Sequence, residues 1–290
     1  MNTNRGMEQT LSRQQTYSRK QTQVRPQGNT QKQQRKFLMT PKLYVMIVLI
    51  VMTAIAGMHA ADRQGILNAC AAIVTALLLD LLIGVLQKRN RLFSDGGVIT
   101  GLIVALVLSS MTPWYICALT TGIAIVSKHV LKIKRKPILN PAAFGLLAAI
   151  LLFSSGQSWW GAMSELPIWS IAFLLVGGFL VTSRVNKFPQ AFSFLAVYFI
   201  LLLLMGFLNF GQAGDALRTP FINSALFMAF FMLTDPPTSP GKYKDQVVFG
   251  CITAIVGVAI FMMFGGLTYL FIGLLAANVW NAYRIYKSNI

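Results

Sequence analysis

From Leu43 onward the chain is a series of long apolar stretches parted by short polar breaks. The stretches are apolar on all sides, which excludes the alternating pattern of a membrane barrel. Crossing a bilayer takes about 20 apolar residues in a helix. The pattern predicts ten such segments, at 43–61, 65–87, 97–111, 114–131, 141–156, 166–183, 190–209, 221–234, 246–264 and 267–285. The expected fold is an all-α polytopic membrane protein with about ten transmembrane helices. Residues 1–42 are the opposite, rich in Gln, Thr, Arg and Lys and almost free of apolar residues. Such a segment cannot bury enough surface to fold alone. The expected organisation is a disordered basic cytoplasmic tail, 1–42, and a membrane domain, 43–290. The tail has no apolar core of its own, so it does not read as a cleaved signal peptide.

The third and eighth segments are too short to cross. Gly97–Ser110 and Phe221–Thr234 each span roughly 21 Å as helix, against a hydrocarbon core of roughly 30 Å. Each is third in a set of five, and an odd number of spans inverts the second set. Two inverted five-helix repeats follow, 43–156 and 166–286. Short, Gly/Pro-bounded segments in matching positions point to a site between the repeats.

Composition agrees with lipid burial: 55% of residues are hydrophobic, 11% are charged, and mean hydropathy is +0.61. A net charge of +17 would suggest nucleic acid in a soluble protein. Its distribution says otherwise. With the tail inside and ten alternating spans, 23 of the 25 Lys and Arg fall on the inner side, leaving only Arg63 and Arg218 outside. That is the positive-inside rule, and it puts both termini in the cytoplasm. The basic tail is expected to touch anionic lipid, and no nucleic-acid partner is implied. Trp114, Trp159, Trp160 and Trp169 fall near the outer boundary, as an aromatic belt. Cys70, Cys117 and Cys251 are single, and no CxxC exists. A zinc, thioredoxin or iron–sulfur site held by this chain alone is therefore excluded. His59 and His129 fall at opposite ends of different helices.

A few polar spots carry the chemistry. Gly96 and Gly97 open the third helix, where free N–H groups suit an anion or carbonyl-rich ligand, or Asp95 simply caps the start. Asn140-Pro141 opens the fifth span; the amide either caps it or binds a ring carbonyl or nitrogen. Asp80, inside Leu77–Leu82, must pair, protonate or face a cavity; either an ion pair with Lys128 or an ion or proton path answers this. Asp235, before two prolines, either caps a turn or holds a ligand at the inner mouth. With no Ser-His-Asp set, no phosphate-binding glycine loop and no paired carboxylates, hydrolysis and ATP-driven pumping have no support.

Four stretches together resemble the RnfD/NqrB family, membrane subunits of the Rnf complex and of the sodium-pumping NADH:quinone reductase. They are Ser94–Leu106 (SDGGVITGLIVAL), Pro113-Trp114 with Lys128, Leu139–Gly145 (LNPAAFG), and Phe230–Pro240 (FFMLTDPPTSP). The likeness covers about residues 43–286, and Asp80 falls where relatives carry an acid. The resemblance implies a ten-helix inverted repeat similar to urea channels, in a bacterial inner membrane. It implies flavin-mediated electron transfer coupled to Na⁺ or H⁺ movement, with riboflavin held noncovalently near the inner face. Relatives also carry FMN esterified to a threonine in an outer loop. The corresponding loop here, Ser154–Glu165, has no threonine, so covalent FMN is not expected. Pro137 also stands where relatives often have asparagine.

The expected function is a membrane subunit of a flavin-dependent electron transport complex, not catalytic alone. Its partners would be other membrane and flavin-binding subunits. Gly96, Gly97, Thr100, Asn140 and Asp235 would hold a noncovalent flavin, riboflavin or FMN, while Asp80 and Lys128 tune charge or guide a cation. A non-redox permease for a small solute, or a purely structural anchor, are the other readings.

Overall fold

The computed structural model describes residues 40–59, 63–88, 95–133, 136–209 and 213–287. The tail up to residue 39 lies outside them, as do Arg89, Arg91, Lys134 and Arg135 of the charge count. Among the described residues there are ten α-helices, one for each apolar stretch. They are α1 Pro41–His59, α2 Arg63–Leu86, α3 Asp95–Val107, α4 Trp114–Val130, α5 Pro141–Phe153, α6 Ile171–Val185, α7 Phe188–Phe207, α8 Thr219–Phe227, α9 Tyr243–Phe264 and α10 Tyr269–Lys287. Pro41 and Lys42, assigned above to the tail, form the first turn of α1. A two-residue ribbon, β1 Lys132–Ile133 with β2 Lys136–Pro137, joins α4 to α5.

Helix ends follow local chemistry. The Asn140 side chain caps α5 by accepting from the Ala143 N–H, and Pro141 takes the first helical position, where its missing N–H is not needed. Pro189 and Pro220 sit at the starts of α7 and α8. α6 stops at Asn186, which adopts φ 56°, a left-handed conformation that asparagine tolerates.

Five helices are long and apolar enough to cross a membrane by length and composition: α1, α2, α6 with the preceding turn from Ile168, α7 and α9. Large apolar side chains such as Leu78, Val85, Leu203 and Ile255 point away from the core. So much outward apolar surface belongs in lipid, and the protein is a multi-pass membrane protein. α3 and α8 are short, as expected, and α5, with 13 residues, is equally short.

In the first half α1 packs on α2 and α3, α2 on α3 and α4, and α4 on α5. In the second half α6 packs on α7 and α8, α7 on α9 and on the end of α8, and α9 on α10. Across the halves α1 meets α6 and α5 meets α10. α2 and α3 lie so close that a Cβ on Gly101 would come within 2.9 Å of the Ala72 carbonyl oxygen. Small residues permit such approaches in membrane bundles. Side-chain contacts gather the starts of the odd-numbered helices and the ends of the even-numbered ones at one end. Lys42, Lys128, Lys187 and Arg284 all lie there, and it is called the basic end below.

At the opposite end α3 stops inside the protein at Val107, and Leu108 pairs as a β-bridge with Gln157. Its last carbonyls need partners. The loop after α5 supplies them: the Trp160 indole donates to Ala105 O at 2.6 Å, and the Trp159 N–H donates to Val107 O. This role corrects the expected belt. Trp159 and Trp160 are buried, and only Trp114 and Trp169, exposed at 53% and 63%, face outward as belt residues would.

Candidate functional site at the basic end

A pocket opens at the basic end between α1, α3, α5, α6 and the end of α8. Its cavity volume is about 90 Å³, and the rest of the space opens to the outside. Its walls are apolar, with Val45, Ile99, Ile103, Val181, Val185 and Phe231. Its polar groups are Lys42, Gly96, Thr100, Lys128, Asn140, Thr234 and Asp235. Five residues singled out from the sequence therefore meet in one place: Gly96, Thr100, Lys128, Asn140 and Asp235. Gly97 and Asp80 are not among the lining residues. Gly97 backs onto Asp80, whose Oδ2 would clash with a Cβ there.

Each lining group is held by its own local structure. The Thr100 hydroxyl donates to Gly96 O at 2.8 Å, which leaves its lone pairs for a donor. α8 continues into a π turn, Met228–Met232, closed by the Leu233 N–H donating to Met228 O at 2.8 Å. Phe231, within that turn, lines the pocket, and π turns recur at functional sites. Asn140 is both cap and brace. Its Oδ1 accepts from the Ala143 N–H, its Nδ2 donates to Met232 O at 2.9 Å, and its main-chain N–H donates to Asn278 Oδ1 at 2.7 Å. One amide hydrogen and one lone pair of Asn140 remain for a ligand. The two readings of this residue thus share one side chain.

Asp235 ends the π turn and also organises the loop that follows. Its main-chain carbonyl accepts from the N–H groups of Thr238 and Ser239, and its Oδ2 accepts from the Thr238 hydroxyl at 3.0 Å. Burial pushes its carboxyl above the usual range, opposed by the Thr238 hydrogen bond and by Lys128, Lys42 and Lys187. Lys187, 5% exposed between α6 and α7, donates to Pro240 O. Burial pulls its ammonium down to about 8, Asp235 opposes this, and Lys136 adds to it.

Asp80 Oδ1 lies 3.4 Å from Nε2 of His129, the chain neighbour of Lys128. Lys128 lines the pocket.

Several residues of this end escape a reading of motifs. Gln190 Nε2 donates to Leu233 O at 2.7 Å, and Asn278 and Asn281 both donate to Thr238 O. Together with Asn140 and Lys187 they hold the loop after α8. Their signal was available: each is an uncharged amide within an apolar helix, where a polar group must find a partner. His129 and Lys187 carried no such signal.

Chemically, the pocket offers apolar walls for a flat ring system. Ammonium groups and the first-turn N–H groups of α3 suit an edge rich in acceptors. No nucleophile stands beside a base among the lining residues.

The sequence profile of the NQR2, RnfD, RnfE family matches residues 21–167 and 157–281. Relatives named as a subunit of the ion-translocating oxidoreductase complex align along most of the chain. That of Shewanella amazonensis is 22% identical over 279 positions, covering 69% of this chain and 78% of the relative. That of Mannheimia succiniciproducens is 22% identical over 306 positions, covering 79% and 86%. That of Pseudomonas paraeruginosa is 23% identical over 248 positions, covering 64% and 71%.

Proposed function

The chain belongs to the NQR2, RnfD, RnfE family, and on that premise we propose that it is a membrane subunit of a flavin-dependent, ion-translocating electron transport complex. It holds riboflavin or FMN noncovalently at the basic end, works beside other membrane and flavin-binding subunits, and passes electrons across the bilayer. One observation carries this: Gly96 and Thr100 of α3, Lys128 of α4, Asn140 at the start of α5 and Asp235 after α8, four separate segments, line a single pocket.

The residues fit the group. Val45, Ile99, Ile103 and Phe231 suit the faces of an isoalloxazine. Lys42, Lys128, the free hydrogen of the Asn140 amide and the start of α3 suit its carbonyls and ring nitrogens. When bound, a flavin supplies one- and two-electron chemistry; placement and electrostatics belong to the protein. Lys42 and Lys128 favour negative charge in the pocket. A row of rings supports passage towards the far end: Trp159 lies 6.0 Å from Phe227, which lies 5.0 Å from Phe231 in the pocket wall.

The same proposal includes ten spans in two inverted repeats, α1–α5 and α6–α10, with the basic end and both termini cytoplasmic. Recurrence of neighbour pairs supports it: α2 with α4 as α7 with α9, α4 with α5 as α9 with α10. So does a shared device. An amide near the start of the second helix of each set clamps the backbone after the short third helix. Asn68 Nδ2 donates to Thr112 O at 2.8 Å, and Gln190 Nε2 donates to Leu233 O at 2.7 Å.

A visible spectrum of the purified protein tests the function. Flavin absorption bands, with the flavin released into supernatant on denaturation, are expected. A colourless preparation that moves a small solute would replace this reading with a permease. A colourless and inert one would leave a structural anchor.

A further inference from the structure

We propose that Asp80 and His129 form a proton-binding site directly behind the pocket, so that negative charge entering the pocket is balanced there by a proton rather than a sodium ion. This deepens the function proposed above and rests on it for the link to electron transfer.

The geometry of the pair is specific. Asp80, on α2, is 1% exposed, and its Oδ1 lies 3.4 Å from Nε2 of His129 in the last turn of α4. Its Oδ2 is buried without a hydrogen-bond partner, pressed against Gly97 in the first turn of α3. A bare buried carboxylate oxygen is costly, and a proton on the pair lowers that cost. The His129 side chain is 10% exposed, which gives a proton a way in. It also sits at a helix C-terminus, where the dipole favours a cation.

Chemistry separates proton from sodium. A hard cation asks for several oxygen ligands. Asp80 turns Oδ1 to an imidazole nitrogen and its one bare oxygen, Oδ2, to a glycine methylene.

The link to the pocket is one peptide unit long. Gly96 lines the pocket and Gly97 packs on Asp80. Only the α3 backbone stands between the pocket and the pair there, and charges parted by protein rather than water interact more strongly. Among the described residues the other ionisable groups at this end of the packed elements are Lys128 beside His129, Lys132 and Lys136 on the ribbon after α4, Asp95 at the start of α3, Lys88 after α2, and Lys42 on α1; α5 carries none.

Two histidines in the whole chain make the test direct. In full-length protein labelled at histidine, with His59→Gln leaving one signal, the His129 imidazole is followed by NMR against pH. It is expected to change with pH, to change differently in Asp80→Asn, and to be indifferent to exchange of K⁺ for Na⁺. A sodium-dependent shift in the wild type overturns the proposal even if Asp80→Asn fails to fold. So does a midpoint unchanged in a folded Asp80→Asn. In flavin-loaded protein at fixed pH, reduction with dithionite should move the signal towards imidazolium. If flavin binds and the signal stays, the link to the pocket fails. If flavin does not bind, the function above fails, and the titration still decides whether the pair is a proton site.

Discussion

Asn140 Nδ2 donates to the main-chain carbonyl of Met232 at 2.9 Å, tying the start of α5 to the end of α8. Helix carbonyls that end inside a membrane protein lack water and need such a donor. Here the donor also lines the pocket, so one amide from the first five helices both closes the end of α8 and faces the pocket.

Replacing Asn140 with leucine leaves the Ala143 N–H buried without a partner, and Met232 O with only the longer bond from the Asp235 N–H at 3.4 Å. The orphaned N–H alone costs about 1–3 kcal/mol, so the melting temperature falls. One ligand hydrogen bond is lost as well, and flavin per folded molecule should drop about two- to tenfold. Asn68→Leu is the control. It strips Thr112 O of its 2.8 Å donor at the opposite end, away from the pocket, so it lowers melting and leaves flavin occupancy unchanged. Equal occupancy in Asn140→Leu and wild type would reduce Asn140 to a brace.

All ten helices were legible because lipid demands long apolar runs, and polar breaks between them cannot hide. Boundaries shifted where a helix ends inside the protein. α3 stops at Val107, before the expected end at residue 111, because Trp159 and Trp160 take over its last carbonyls. No local pattern encodes that rescue, since the partners lie some 50 residues away. Gly96, Thr100, Asn140 and Asp235 were legible as breaks in apolar helices, and they meet in one pocket. Gly97 was misplaced by one residue's turn of the helix: its neighbour faces the pocket, while it faces Asp80. The partnership of Asp80 with His129 depends on how α2 crosses α4, which periodicity does not determine.

Lys187 makes stability depend on alkali. Its ammonium titrates at about 8 in the folded protein against an ordinary 10.5. Between these values the unfolded chain holds more protons, so stability rises with pH across that window. The full swing is at most on the order of 3 kcal/mol. Lys187→Met removes the titration. Wild type should therefore gain melting temperature relative to the variant between about pH 7 and about pH 10. A difference that does not change with pH would mean the lysine is effectively solvated.

Sidedness follows from the basic end. α1 begins and α10 finishes there, with Lys42 in the pocket and Arg284 paired to Asp245 at the start of α9. Reporter fusions after Ile290 and within the 157–165 loop should give opposite sidedness, the former cytoplasmic. Equal sidedness would remove the ten-span arrangement.

The loop after α5 should carry no covalent flavin. Residues 154–165 contain no threonine, and the hydroxyl oxygens of Ser155, Ser158 and Ser164 are buried. A transferase needs an exposed hydroxyl to form a phosphoester. The loop cannot easily peel away to offer one, because its backbone and the Trp160 indole satisfy the end of α3 through Ser109, Val107 and Ala105. Only Ser154 stands exposed, at the C-terminus of α5. After co-expression with a flavin transferase, the native protein should be coloured by noncovalent flavin, and the denatured chain should show no fluorescent band on a gel. A fluorescent band that disappears in Ser154→Ala would place the attachment at that serine. One that persists would place it at another residue. Either result would give the chain a second flavin, at a site other than the pocket at the basic end.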